Sequence, residues 1–187
     1  MNLVAIVLAA GSGTRFGGGK LSAEFKGEPL LAHAIHAART APVKKVIVVC
    51  PPTLDIGAWP GEPHVESLRL TSPELSASLK AGIAAAGVVD GAFIYLGDMP
   101  LIPHGIACEL AACLGTNFAA VPRWQGKPGH PVLLSAKAFL EIPRLQGDES
   151  AGRLLKSRKD IAFVDTADEG VTLDIDRVED VAWLEGR

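Results

Sequence analysis

Aromatic side chains are scarce: Phe, Trp and Tyr make up only 5% of the 187 residues, whereas 48% are hydrophobic. A core built from this sequence is mostly aliphatic. Basic excess is missing too, since 18 Lys and Arg face 21 Asp and Glu, for a formal net charge of −3. Without clustered Lys and Arg nothing can neutralise a run of phosphates, which argues against a nucleic-acid partner. Nor does any hydrophobic run approach the ~18–20 residues of a membrane span, so no membrane partner is expected. The opening MNLVAIVLAAGSG lacks a positive leader and runs into glycines rather than a cleavage site, unlike a signal peptide. Three cysteines, Cys50, Cys108 and Cys113, have neither metal-ligand spacing nor a CxxC pair. They read as small core residues in a reduced compartment, and a cytoplasmic location is expected.

What the chain has in surplus is glycine, 20 residues, and proline, 13. Together they form about one residue in six, against roughly 12% in average usage. Such a chain is rich in turns and close backbone approaches. Its length suits one domain, residues 1–187, with no repeat, linker or low-complexity tract.

Residues 2–9 form a short continuous apolar run, as a strand buried on both faces requires. Lys45–Cys50, 92–96 and 118–121 read the same way. Weaker strands are expected at 65–70, 161–164 and 171–174. Helical patterns cover 29–39, with Pro29 suited to a first turn, and 76–86, with Gly87 as C-cap. Further helices are expected at 103–114, 149–156 and 178–184. Residues 123–131 read as a loop or hairpin leading into a strand at 132–134. Strands alternating with helices predict an α/β fold, a mostly parallel sheet covered by helices on both faces.

The loop after the first strand, Ala10-Gly-Ser-Gly-Thr-Arg-Phe-Gly-Gly-Gly-Lys20, carries five glycines. In open α/β sheets ligands bind at the carboxyl ends of strands, where this loop begins. Glycines let backbone N–H groups approach an anion, and Arg15 and Lys20 add positive charge. Phosphate is the expected ligand; a simple surface turn is the alternative. A P-loop, G-x-x-x-x-G-K-S/T, fails because Thr14 holds the first glycine position and Leu21 follows Lys20. A dinucleotide fingerprint, G-x-G-x-x-G, fails at Phe16.

Asp98, in Gly97-Asp98-Met-Pro100, follows the apolar strand AFIYL, where a carboxylate could hold Mg²⁺ near a triphosphate or cap the turn before Pro100. Asp174 and Asp176 point the same way if extended, and two such like charges call for a cation between them. Glu179 and Asp180 read as first-turn helix acids. Ser76 is a good N-cap at the start of a helix. His33 and His36, three apart on a helix without a third ligand, read as partly buried helix residues. No G-x-S-x-G elbow or Cys–His pattern supports covalent catalysis.

Leu8–Leu21, LAAGSGTRFGGGKL, resembles the signature L-A-A-G-x-(G/S)-x-R-(M/F)-G-x-x-K of MobA-like nucleotidyltransferases, and most closely their molybdenum cofactor cytidylyltransferase (MocA-like) branch. The resemblance continues through Gly97-Asp98-Met-Pro100, through Leu75-Ser76-Ala77-Ser78-Leu79 with Glu74 where glycine is usual, and through Gly129-His130-Pro131. It also covers Gly147–Arg153, with one residue extra, and Asp174–Asp180, with Arg177-Val178 replacing Thr-Pro. It implies a single Rossmann-like three-layer domain of nucleotide-diphospho-sugar transferase type. It further implies that Leu8, Ala10, Gly11, Gly13, Arg15, Lys20, Ser76 and Ser78 bind the nucleotide. Arg15, Lys20 and Asp98 would be catalytic. Asp98 would hold Mg²⁺ with Asp176, or else Asp174, while Lys127, His130 and Arg153 would face the acceptor or stand as solvated loop residues. The implied reaction moves a nucleoside monophosphate, from CTP, to molybdenum-bearing molybdopterin and releases pyrophosphate. The partner to receive the product would be a molybdenum enzyme or its chaperone. Alternatives are a cytidylyl- or uridylyltransferase for a sugar or polyol phosphate, a guanylyltransferase of the molybdenum cofactor, or a non-catalytic cofactor-carrying chaperone.

Overall fold

A computed structural model describes residues 1–11, 16–72, 74–156 and 158–185. The chain opens with β1 (Leu3–Leu8), the small hairpin β2 (Glu24–Phe25) and β3 (Glu28–Pro29), and α1 (Leu30–Arg39). β4 (Lys45–Cys50), β5 (His64–Arg69), α2 (Leu75–Ala86), β6 (Gly91–Leu96) and α3 (Ile106–Cys113) follow. The second half holds β7 (Ala119–Trp124), β8 (Lys127–Pro128), β9 (Val132–Ser135), α4 (Ala136–Phe139), α5 (Ala151–Leu155), β10 (Ile161–Thr166) and α6 (Val178–Glu185).

The main sheet runs β10-β7-β9-β6-β1-β4-β5, with β8 paired to β7. β1 is parallel to β4 and β6, β4 to β5, and β7 to β10, whereas β9 runs antiparallel to both its neighbours. The expected mostly parallel sheet therefore holds, with one reversed strand inserted near its middle.

β1 is apolar throughout because its alternate side chains serve different cores. Leu3, Ala5 and Val7 pack with Val46, Val48, Phe93 and Leu110 beneath α1 and α3. Val4, Ile6 and Leu8 pack with Ile47, Val49, Ile94 and Leu79 beneath α2 on the opposite face. Helices thus cover both sides. A third cluster joins Phe25, Leu30, Ile175 and Leu184, tying the C-terminal segment to the start of α1.

Three expectations need correction. Residues 171–174 are not a strand: a 3-10 turn, Glu169–Thr172, lies there instead, started by Asp168, whose Oδ1 accepts from the Gly170 N–H at 2.8 Å. That local bond competes with the ladder that β-branched Val171 and Thr172 suggest. Ser76 is not an N-cap; α2 starts one residue earlier, at Leu75, and Ser76 is buried in its first turn. Cys108 and Cys113 are exposed on α3 rather than in the core, because its buried stripe is Ile106, Ala107 and Leu110; Cys50 is buried. Among the described residues no helix is long and apolar enough to cross a membrane.

Candidate active site

A cleft of about 600 Å³ opens at the carboxyl ends of β1, β4, β5 and β6. Leu8, Ala10, Gly11 and Lys20 form one side of its lining, Leu75 and Asp98 others. This is the edge of the sheet expected from the loop after the first strand. Thr53 and Leu54 after β4 and Leu70–Ser72 after β5 also line it; no motif marks them, and their one sequence signal is that they follow strand ends. Gly13 and Arg15 lie outside the described residues.

Lys20 is the only charged residue among the described buried ones, 9% exposed. Its Nζ lies 2.7 Å from Asp98 Oδ2 and 3.4 Å from Asp176 Oδ1. Asp174 completes a group with Asp98 and Asp176 in which one carboxylate oxygen of each lies within 4.8 Å of the others. Both Asp174 and Asp176 therefore reach Asp98. The protein packed behind Asp174, and then the carboxylate of Asp98, hold its pKa above the usual carboxylate range.

The backbone explains why residues about 75 apart in sequence converge. Ile175, fully buried in the third cluster, is flanked by the two aspartates, and its N–H donates to Asp98 O at 3.0 Å. Upstream, the His130 N–H donates to Val171 O at 2.7 Å. Gly129 lies against the same carbonyl, since a Cβ there would sit 2.1 Å from Val171 O. Downstream, Asp180 Oδ2 accepts from the N–H groups of Asp176 and Arg177 at 2.9 and 2.7 Å, closing the start of α6 as the first-turn acid expected there. The 170–180 segment is pinned at each end and in the middle.

The other expected residues are placed differently. Ser76 and Ser78 are buried on α2 and do not line the cleft; the Ser78 hydroxyl donates to Glu74 O at 3.2 Å. Arg153 is exposed on α5 and meets Glu149 at 3.2 Å. Lys127 is exposed on the β7–β8 hairpin. His33 is partly buried as expected and bonded to Phe25 O, whereas His36 is exposed, because its helix phase turns it outward, and faces Glu28.

His130 is set into the protein beside Asp98, and burial lowers its pKa to about 4 despite the opposing pull of Asp98. At neutral pH it is an uncharged donor or acceptor. A group charged less readily when folded makes stability rise with pH, because the unfolded chain binds more protons. The stability contributed is present above about pH 6.5 and is lost as pH falls toward 4. A chemical-denaturation series from pH 7 to 4 is expected to show this loss, and His130→Gln to flatten it. An unchanged slope in the variant would assign it to other groups.

Residues 5–162 match the MobA-like NTP transferase domain. The purine catabolism protein PucB of Bacillus subtilis is 29% identical over 192 residues, covering 95% of this chain and 93% of PucB. A probable molybdenum cofactor guanylyltransferase of Thermococcus gammatolerans is 29% identical over 162 residues, 82% of each chain. The bifunctional protein GlmU of Pelotomaculum thermopropionicum is 32% identical over 139 residues, 70% of this chain but only 30% of GlmU. In structure the chain resembles Rv0371c of Mycobacterium tuberculosis H37Rv, with a TM-score of 0.83 at 23% identity over the whole of both chains. Rv0371c has also been solved as a complex with manganese, where the TM-score is 0.79 at 22% identity, over 100% of this chain and 99% of that one. Fold and sequence agree: the chain belongs to the MobA-like NTP transferase family and is a nucleotidyltransferase.

Proposed function

We propose that the chain, acting as one cytoplasmic domain, moves cytidine monophosphate from CTP to the terminal phosphate of molybdenum-bearing molybdopterin. The observation that carries the proposal is the convergence of Lys20, Asp98, Asp174 and Asp176 at the mouth of the glycine-lined cleft. Three carboxylates offer hard oxygen donors, which suit Mg²⁺ or Mn²⁺ and do not suit a soft metal. Asp98, Asp174 and Asp176 would hold the ion, which when bound supplies neutralisation of the triphosphate charge.

The chain's own groups do the rest. Leu8 and Ala10 form an apolar floor for the nucleoside end of the cleft, and Gly11 admits the phosphates close to the backbone. Lys20, and Arg15 from the same loop, pair with phosphate oxygens. An acceptor phosphate has a second pKa near 6 and is already ionised at neutral pH, so no general base is required. One of its oxygens attacks the α-phosphorus, the bond from that phosphorus to the bridging oxygen breaks, and pyrophosphate leaves with the electron pair. Positioning and charge neutralisation are the catalysis. Neutral His130, beside Asp98, can hydrogen-bond the acceptor phosphate without adding charge; Arg153 serves the acceptor only if α5 approaches it.

GTP is the second reading, favoured by the likeness to the probable molybdenum cofactor guanylyltransferase of Thermococcus gammatolerans. The test offers CTP, GTP, UTP and ATP in turn, with Mg²⁺ or Mn²⁺ and either molybdenum-bearing molybdopterin or sugar phosphates. Pyrophosphate release with CTP and molybdopterin is expected. Release with GTP selects the second reading, and release with a sugar phosphate alone moves the acceptor; none with any pair contradicts the proposal.

A further inference from the structure

The ammonium of Lys20 sits where a cation is needed. It touches Asp98 at 2.7 Å and Asp176 at 3.4 Å, inside a group whose third carboxylate, Asp174, is within 4.8 Å of both. Lys20 is 10% exposed at its side chain against 27% for Asp98 and 46% for Asp176, so the charge that joins the two carboxylates comes from their buried side. Like charges this close repel unless a positive charge joins them. A lysine side chain is a compact charge on a flexible four-carbon stem, able to serve two positions. Yet the same Lys20 ends the glycine-rich loop and lines the cleft, where a triphosphate would draw it away.

We propose that Lys20 is the placeholder cation of this centre. In the free chain its ammonium bridges Asp98 and Asp176 and offsets part of their charge. A divalent ion takes over those carboxylates only when Lys20 leaves them, and the triphosphate provides its new partner. Metal and triphosphate therefore bind with positive coupling, and the free chain resists loading with metal alone. The proposal rests on the nucleotidyl-transfer reading but makes a separate claim, about metal affinity without nucleotide.

Mn²⁺ titration followed by electron paramagnetic resonance, with no nucleotide present, separates the two. Lys20→Met is expected to bind Mn²⁺ about tenfold more tightly than the wild-type chain, within the usual range of coupling between sites. Lys20→Arg, which keeps a cation there, is expected to stay near wild type. Lys20→Met binding no tighter than wild type overturns the placeholder role while leaving the metal centre standing. If no chain binds Mn²⁺, even with a triphosphate analogue, both proposals fall.

Should Lys20→Met not fold, the wild-type chain still decides. The ¹⁵Nζ signal of Lys20, assigned by its absence in Lys20→Arg, is expected to be slowed in solvent exchange without metal and to shift when Mg²⁺ and the analogue are added together. A signal indistinguishable from exposed lysines in both states overturns the proposal.

Discussion

Replacing Asp98 with asparagine is expected to slow pyrophosphate release by at least about 100-fold, a loss consistent with the several kcal/mol that metal-assisted charge stabilisation supplies. The variant keeps the shape of the side chain and removes its charge. Asp98 is one of three carboxylates in the cation group and the direct partner of Lys20, so both the divalent ion and the ammonium lose their common anchor. Stability has little to lose. The Asp98 side chain is 27% exposed, Asp176 remains 3.4 Å from the Lys20 ammonium as a second partner, and relief of repulsion on Asp174 offsets part of the loss. A melting temperature within about 4 °C of wild type is therefore expected, because about 1 kcal/mol moves a domain of this size by about 2–4 °C. Turnover and melting curves measured on one preparation check both halves. Turnover within tenfold of wild type would remove Asp98 from the reacting site.

The opposite combination is expected of Gly129→Ala, where stability fails first. The added Cβ would lie 2.1 Å from Val171 O and 2.7 Å from Val171 C, both backbone atoms that cannot rotate away. Retreat is blocked as well, since the same carbonyl accepts from His130 at 2.7 Å. One of the two strands of chain must move. The cost is expected near the upper end of overpacking, about 3 kcal/mol, or roughly 6–12 °C in melting temperature. A shift of Val171 is also transmitted toward Ile175 and its flanking aspartates, so the residual folded fraction should show weakened Mn²⁺ binding. Calorimetry checks the first expectation and metal titration the second; a melting temperature within 2 °C of wild type would show that the 129–131 and 170–172 segments can separate freely.

Much of the fold was legible because the central strands leave no ambiguity. Residues 3–8 are apolar on both faces, which only a two-sided burial explains, and the structure feeds Leu3, Ala5 and Val7 to one core and Val4, Ile6 and Leu8 to another. The reversal of β9 was not legible: Val132-Leu133-Leu134 has the same composition in either direction, and side-chain pattern does not encode strand polarity. The 171–174 stretch misled because its β-branched residues suit a strand, while the deciding contact is the local bond from Gly170 to Asp168. Cys108 and Cys113 misled for a simpler reason, since helix phase rather than residue type decides which side faces the core.

The site divides along similar lines. Lys20 could be singled out as the basic end of the glycine-rich loop and Asp98 by its position just after a strand, and the structure joins them directly. The sequence left Asp174 and Asp176 as alternatives, and the geometry brings both to Asp98, with the buried Ile175 between them. What no motif carried was the support behind them. The close approach of Gly129 to Val171 and the bond from Ile175 to Asp98 are long-range facts, invisible until the chain is folded.

The most direct measurement follows the label from a nucleoside triphosphate carrying ³²P at either its α- or its γ-phosphate, incubated with the chain, a divalent cation and a phosphomonoester acceptor. Attack at the α-phosphorus places the α label in the acceptor product and the γ label in pyrophosphate. The γ label in the acceptor product would mean phosphoryl rather than nucleotidyl transfer, and would contradict the assignment of this site.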